Sequence, residues 1–174
     1  MGTTDGLRGP EIWIRGPVTV PDPEPAPMPY ASAATPRRFS WVATHGGAGS
    51  TTLAAVYGGH DSGRQWPGAG EPPSVLLVAR THAAGLESVL RTLEAFRRGE
   101  APAGLDLDSV VLVADAPGRL PRPLAQRVRA IESAIDVYRV PWVTDWRLGD
   151  LAGAPPRDTA PLARLTGAAG GRTR

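Results

Sequence analysis

THGGAGSTTLAAV, residues Thr44 to Val56, decides how the rest of the chain is read. It follows a β-rich run, RFSWVAT (Arg38 to Thr44), and leads into TTLAAVYGG, a short helical pattern closed by Gly58 and Gly59. Gly46, Gly47 and Gly49 permit a tight loop whose successive N–H groups line a concave nest, with the positive end of the next helix aimed at the same point. Such a nest fits phosphate oxygens, and Thr51 or Thr52 can hold a hydroxyl toward a magnesium ion. The usual cation is missing. Ser50 stands where a phosphate-binding loop has its lysine, and the chain has no lysine anywhere, its 19 basic residues being arginine throughout.

Downstream of the loop, strand and helix patterns alternate. SVLLVAR (Ser74 to Arg80) is a continuous apolar run with the length of a buried parallel strand. Leu86, Val89, Leu90, Leu93 and Phe96 then fall on one helical face, and Gly99 stops that helix. SVVLVAD (Ser109 to Asp115) is a second buried run, followed by a helical stripe of Leu124, Val128, Ile131 and Ile135 with Pro121 and Pro123 ahead of it. DVYRVPWV (Asp136 to Val143) reads as a further strand, placed near an edge by Pro141. Strands alternating with helices predict a three-layer α/β sandwich on a mainly parallel open sheet of about four or more strands.

Composition sets the limits of this domain. The 174 residues hold one core and two tails: a proline-rich arm over 1–37, the domain over 38–150, and a tail over 151–174. Both tails are rich in proline, alanine, glycine and small polar residues and are expected to be disordered. Glu11 to Val18, EIWIRGPV, is the one apolar patch in the arm, readable as a docking strand or as part of a disordered segment. A formal charge of +2 does not require nucleic acid. Without cysteine there are no disulfides or thiolate metal sites, and His45, His60 and His82 are too scattered for zinc. No apolar run approaches the roughly 20 residues of a membrane span. With no secretory signal pattern either, the expectation is a cytoplasmic protein.

HGGAGSTTLA resembles the deviant Walker A loop of the ParA/MinD branch of P-loop ATPases, K-G-G-x-G-K-[ST]-T, which directly follows that family's first strand. Gly46, Gly47, Gly49, Thr51 and Thr52 match. His45 stands where the family has the lysine that reaches across a dimer interface, and Ser50 stands at the phosphate-binding lysine. The likeness extends less specifically over Arg38 to Trp146. The arginine-, alanine-, proline- and glycine-rich composition is similar to that of high-GC actinobacterial proteins.

The resemblance implies a cradle for ATP or a related nucleotide with magnesium, formed by His45, Gly46, Gly47, Ala48, Gly49, Ser50, Thr51 and Thr52, with Thr51 toward the metal. In YGGHDSGRQWPGAGEPP, Asp61 is a candidate for the family's water-activating or magnesium-holding carboxylate and Arg64 for the missing positive charge, a plain surface loop being the other reading of each. Asp115 has two registers, as the acid of a D-x-x-G motif or, with Pro117, as a border of the base; a plain turn is a third reading. No catalytic residue is assigned beyond Asp61 and Asp115 as candidates. Thr81 is expected to cap the helix after its strand, and His45 either lends charge to a phosphate or bonds within the loop.

Three functions follow from these expectations. The first is a nucleotide-dependent switch with slow or no hydrolysis, working through a homodimer or a protein partner. The second is a non-catalytic scaffold that binds a protein. The third is nonspecific nucleic-acid binding through Arg91, Arg97, Arg98, Arg119, Arg122, Arg127 and Arg129, which Glu87, Glu94, Glu100 and Glu132 dilute.

Overall fold

A computed structural model describes residues 38–168. The expectations for the arm over 1–37, Glu11 to Val18 included, lie outside the described residues. Five strands form one all-parallel sheet: β1 (Ser40–Ala43), β2 (His60–Asp61), β3 (Ser74–Arg80), β4 (Asp106–Val113) and β5 (Val137–Val140), in the order β2-β1-β3-β4-β5. Helices α1 (Ser50–Tyr57), α2 (Ala83–Arg97), α3 (Arg122–Glu132), α4 (Thr144–Arg147) and α5 (Ala160–Thr166) connect and follow them.

Alternation along the central strands assigns each side chain to a layer. Trp41, Ala43, Leu76, Val78, Val111 and Val113 face a core with Leu53, Val56 and Tyr57 of α1 and Leu162 of α5. Val42, Val75, Leu77, Ala79, Val110 and Leu112 face the opposite core, against Leu86, Val89 and Leu93 of α2 and Val128 and Ile131 of α3. Burial on both faces is why β3 and β4 read as unbroken apolar runs rather than as alternating ones.

Two features depart from the sequence reading. A strand of two residues, β2, lies inside the segment after α1 and pairs with β1 through Ser40↔His60 and Trp41↔Asp61. Its brevity leaves no apolar run to recognise. The second departure corrects the disorder expected for the tail over 151–174 in its described part, 151–168: a 3-10 turn at Arg157–Thr159 and helix α5 lie there, and Leu162 is 1% exposed. Leu162, Ala163 and Leu165 supply an apolar stripe too short to stand out among prolines and glycines. Tyr57 donates to Thr159 Oγ1 at 2.6 Å, which ties the turn to α1.

The chain passes from β1 to β2 on one side and then crosses to β3 on the other, so the connections leaving β1 and β3 diverge. In open α/β sheets this reversal opens a crevice at the carboxyl ends of the strands, where ligands bind. The glycine loop sits at that point. Among the described residues no helix is long and apolar enough to cross a membrane.

Candidate functional site

The loop from Thr44 to Gly49 is held in shape from β3. His45 Nε2 accepts the backbone N–H of Arg80 at 3.0 Å, which places the ring proton on Nδ1, and Nδ1 donates to the carbonyl of Gly46 at 2.8 Å. Both ring nitrogens are therefore spent on the backbone. His45 positions the loop and carries no proton for a ligand in this arrangement. Gly49 begins α1 with φ +106°, a conformation open to glycine and strained for a side chain. Ala48 is buried in the core, while ideal Cβ atoms on Gly46 and Gly47 would meet nothing within 4 Å. The loop thus has one anchored side and one open side.

Beyond the loop, α1 presents Ser50, Thr51 and Thr52 in its first turn. Ser50, at the lysine position, is 6% exposed and buried rather than aimed at the open side. Thr51 is exposed and donates its hydroxyl to Asp61 Oδ2 at 2.6 Å, and Asp61 Oδ1 accepts the N–H of Gly63 at 3.0 Å. Partial burial pushes the Asp61 carboxyl up, but hydrogen bonds from Thr51, Gly63 and Ser50, together with the neighbouring His60, outweigh it and hold the group below the ordinary aspartate range. Asp61 is accordingly an anion at neutral pH. The pairing of β2 with β1 is what brings this carboxylate to the hydroxyl.

Two arginines stand over the other flank. Arg80, the last residue of β3, donates from Nε to the carbonyl of Gly47 at 3.2 Å and from Nη1 to the carbonyl of Ala114 at 3.1 Å. Its Nη2 lies 3.6 Å from where a Cβ on Gly49 would be. Arg147, at the end of α4, stacks 4.3 Å over the ring of Trp142 and shares a narrow cleft with Arg80, Gly49 and Thr52. Burial pushes the Arg80 guanidinium down from the ordinary arginine value, the charge of Arg147 acts in the same direction, and Asp115 opposes them.

Ala114 and Pro141 are walls both of that cleft and of a larger cavity of about 500 Å³. Leu112, Leu120, Leu124, Val128 and Val140 make the cavity apolar, and Thr81, Asp115, Arg119, Arg139 and Asp158 bring polar groups to it. This volume lies in the range of small-molecule sites. Pro117 and Asp115 border it, so Asp115 stands two strands from β1 while the acid beside Thr51 is Asp61. The backbone N–H of Asp115 donates to Thr81 Oγ1 at 3.1 Å.

The candidate residues therefore separate. His45 to Thr52 and Asp61 are gathered in one place, whereas Asp115 belongs to the cavity. Arg64 is exposed, and the guanidinium that touches the loop is that of Arg80. Thr81 does not cap α2; His82 does, its Nδ1 accepting the N–H of Gly85 at 2.9 Å. Arg80 and Arg147 were absent from the sequence expectations. For Arg80 a signal exists in the charged residue that closes an otherwise apolar buried strand; for Arg147 there is none. No protein-family model matches this chain, and neither does any curated protein or solved structure.

Proposed function

We propose that this chain is a nucleotide-binding protein of the kind its loop resembles, the ParA/MinD-like P-loop ATPases, and that it acts as a nucleotide-dependent switch with slow or no hydrolysis. One contact carries the reading: the 2.6 Å hydrogen bond between Thr51 and Asp61 beside an open glycine loop. P-loop NTPases hold magnesium with a loop serine or threonine and an acidic residue on a neighbouring strand. Here the two oxygens come from the first turn of α1 and from the strand that pairs with β1. An oxygen-only donor pair, one of them a carboxylate held as its anion, suits a hard cation that keeps most of its waters. Bound there, magnesium would neutralise phosphate charge.

In this reading each part of a nucleotide has a place. Phosphates rest on the open side of the loop at Gly46 and Gly47, and the base lies in the apolar cavity bordered by Asp115 and Pro117. Hydrolysis is disfavoured because the loop itself bears no cation, and charge stabilisation is usually the largest contribution to phosphoryl transfer. What changes on binding is then a surface, offered to a second copy of the chain or to a protein partner.

Calorimetric titration with ATP, ADP and GTP tests this, in magnesium and again in chelator. Micromolar binding is expected, abolished by Gly49→Val and weakened by Asp61→Ala in magnesium but little in chelator. Silence from every nucleotide at about 0.1 mM protein, where a dissociation constant near 1 mM still registers, would refute it and leave the scaffold.

A further inference from the structure

We infer that Arg80 and Arg147 form a two-arginine clamp for the outer phosphates of a di- or triphosphate, doing from strand β3 and helix α4 what the loop lysine does elsewhere. The inference rests on the reading of the glycine loop as a phosphate cradle and adds the cations that the loop lacks.

A guanidinium has five N–H donors in a fixed fork. Arg80 commits Nε to the Gly47 carbonyl and one Nη1 donor to the Ala114 carbonyl, so its plane is fixed while the Nη2 edge remains directed toward Gly49. That edge faces the first turn of α1. Arg147 enters the same cleft from α4, its guanidinium braced on Trp142. The cleft measures about 30 Å³, the space of one water molecule. One phosphate oxygen fits it, and the remainder of the group lies outward over Gly46 and Gly47, where space is open.

Electrostatics points the same way. Burial first, and then the like charge of Arg147 across the shared cleft, disfavour the charged form of Arg80, while Asp115 acts in the opposite direction. An anion between them removes the repulsion and gains charge-assisted hydrogen bonds from a donor already oriented. The ligand class follows: a chain of phosphates long enough to reach from the base cavity past Ala114 to the loop, rather than a nucleoside or a monophosphate.

The test is titration of the full chain and of Arg80→Ala, Arg147→Ala and Arg38→Ala with magnesium ATP, adenosine and tripolyphosphate. Arg38 precedes β1 and so lies at the amino end of the sheet, opposite the loop. Each clamp variant is expected to weaken ATP binding by about 10- to 100-fold while leaving adenosine unchanged, with Arg38→Ala neutral. Arg147 is exposed, so its variant decides the matter even where Arg80→Ala lowers the folded fraction. Unchanged ATP affinity in Arg147→Ala and in folded Arg80→Ala would overturn the clamp and leave nucleotide binding standing. Tripolyphosphate binding that both variants lose, without nucleotide binding, would uphold the clamp and remove the nucleotide. Binding of neither ligand by the parent chain would overturn both.

Discussion

Gly85→Ala is the substitution in which helix propensity and packing make opposite predictions. Gly85 sits in the first turn of α2, where its missing side chain lets the helix approach the end of β3. A Cβ there would meet the carbonyl oxygen of Arg80 at 2.3 Å, its carbonyl carbon at 3.2 Å and His45 Nε2 at 3.0 Å. The Arg80 carbonyl cannot yield as a side-chain tip would, because Arg80 pairs with Val113 of β4 and its own N–H is bonded to His45. Propensity favours alanine over glycine by about 1 kcal/mol. Against this, overpacking costs about 1–3 kcal/mol, and disturbing the Arg80 to His45 bond costs about 1 kcal/mol more. Packing wins, with a net loss of about 1–3 kcal/mol and a fall in Tm of roughly 2–12 °C for a chain of this size. The assay is thermal and urea unfolding beside Gly46→Ala, whose Cβ would meet nothing within 4 Å and whose stability should stay within about 1 kcal/mol of the parent. Nitrogen NMR of the histidine rings gives a second readout, since His45 should lose its fixed Nδ1–H tautomer. A Gly85→Ala protein as stable as the parent, with that tautomer retained, would refute the reasoning.

Two further substitutions test the packing beneath the site. Leu162→Ala should cost about 2–5 kcal/mol in urea unfolding, because Leu162 is 1% exposed in the core shared with α1; a loss under about 0.5 kcal/mol would make α5 an appendage. Tyr57→Phe should cost about 1 kcal/mol at neutral pH through its bond to Thr159. Burial raises the Tyr57 phenol above its ordinary 10.0, partly offset by that bond. The folded state therefore holds the proton more tightly, and the stability this gives is complete below pH 10.0 and lost as pH rises through the folded value. Unfolding measured from about pH 8 to about pH 11 should show this loss in the parent and a flatter profile in Tyr57→Phe, and parallel profiles would contradict it.

The sheet was legible because burial on both faces writes strands as apolar runs: β3 and β4 stand out in SVLLVAR and SVVLVAD. The same principle explains what was not legible. Strand β2 contributes two half-buried residues, and α5 buries only Leu162, Ala163 and Thr166, so neither leaves a periodic pattern long enough to recognise. At the candidate site, what is local in sequence is legible as a pattern of residues. The glycine loop is contiguous, and Asp61 follows Thr51 closely enough to be suspected. Arg80 lies 33 residues from the Gly47 carbonyl it touches, and only the pairing of β1 with β3 brings the two together. Arg64, the candidate for the missing positive charge, is exposed, and the pairing of β1 with β3 brings a different guanidinium, that of Arg80, to the loop.

That displacement bears on what a loop without lysine can do. A lysine carried by the loop shares the loop's motion and delivers a point charge on a flexible stem. The Arg80 guanidinium is oriented before any ligand arrives, by carbonyls from two different loops, Gly47 after β1 and Ala114 after β4. Any displacement of that guanidinium from this position would weaken one or both bonds, and so would act at once on the glycine loop and on the wall of the cavity of about 500 Å³. If the proposed clamp holds, a cation mounted in this way would be poorly placed to follow a phosphoryl group through transfer, yet well placed to report its presence to two loops. Under the proposed nucleotide binding, such a mounting would suit sensing better than catalysis, and faster turnover in Arg80→Lys, which restores a flexible point charge, is the result that would support this.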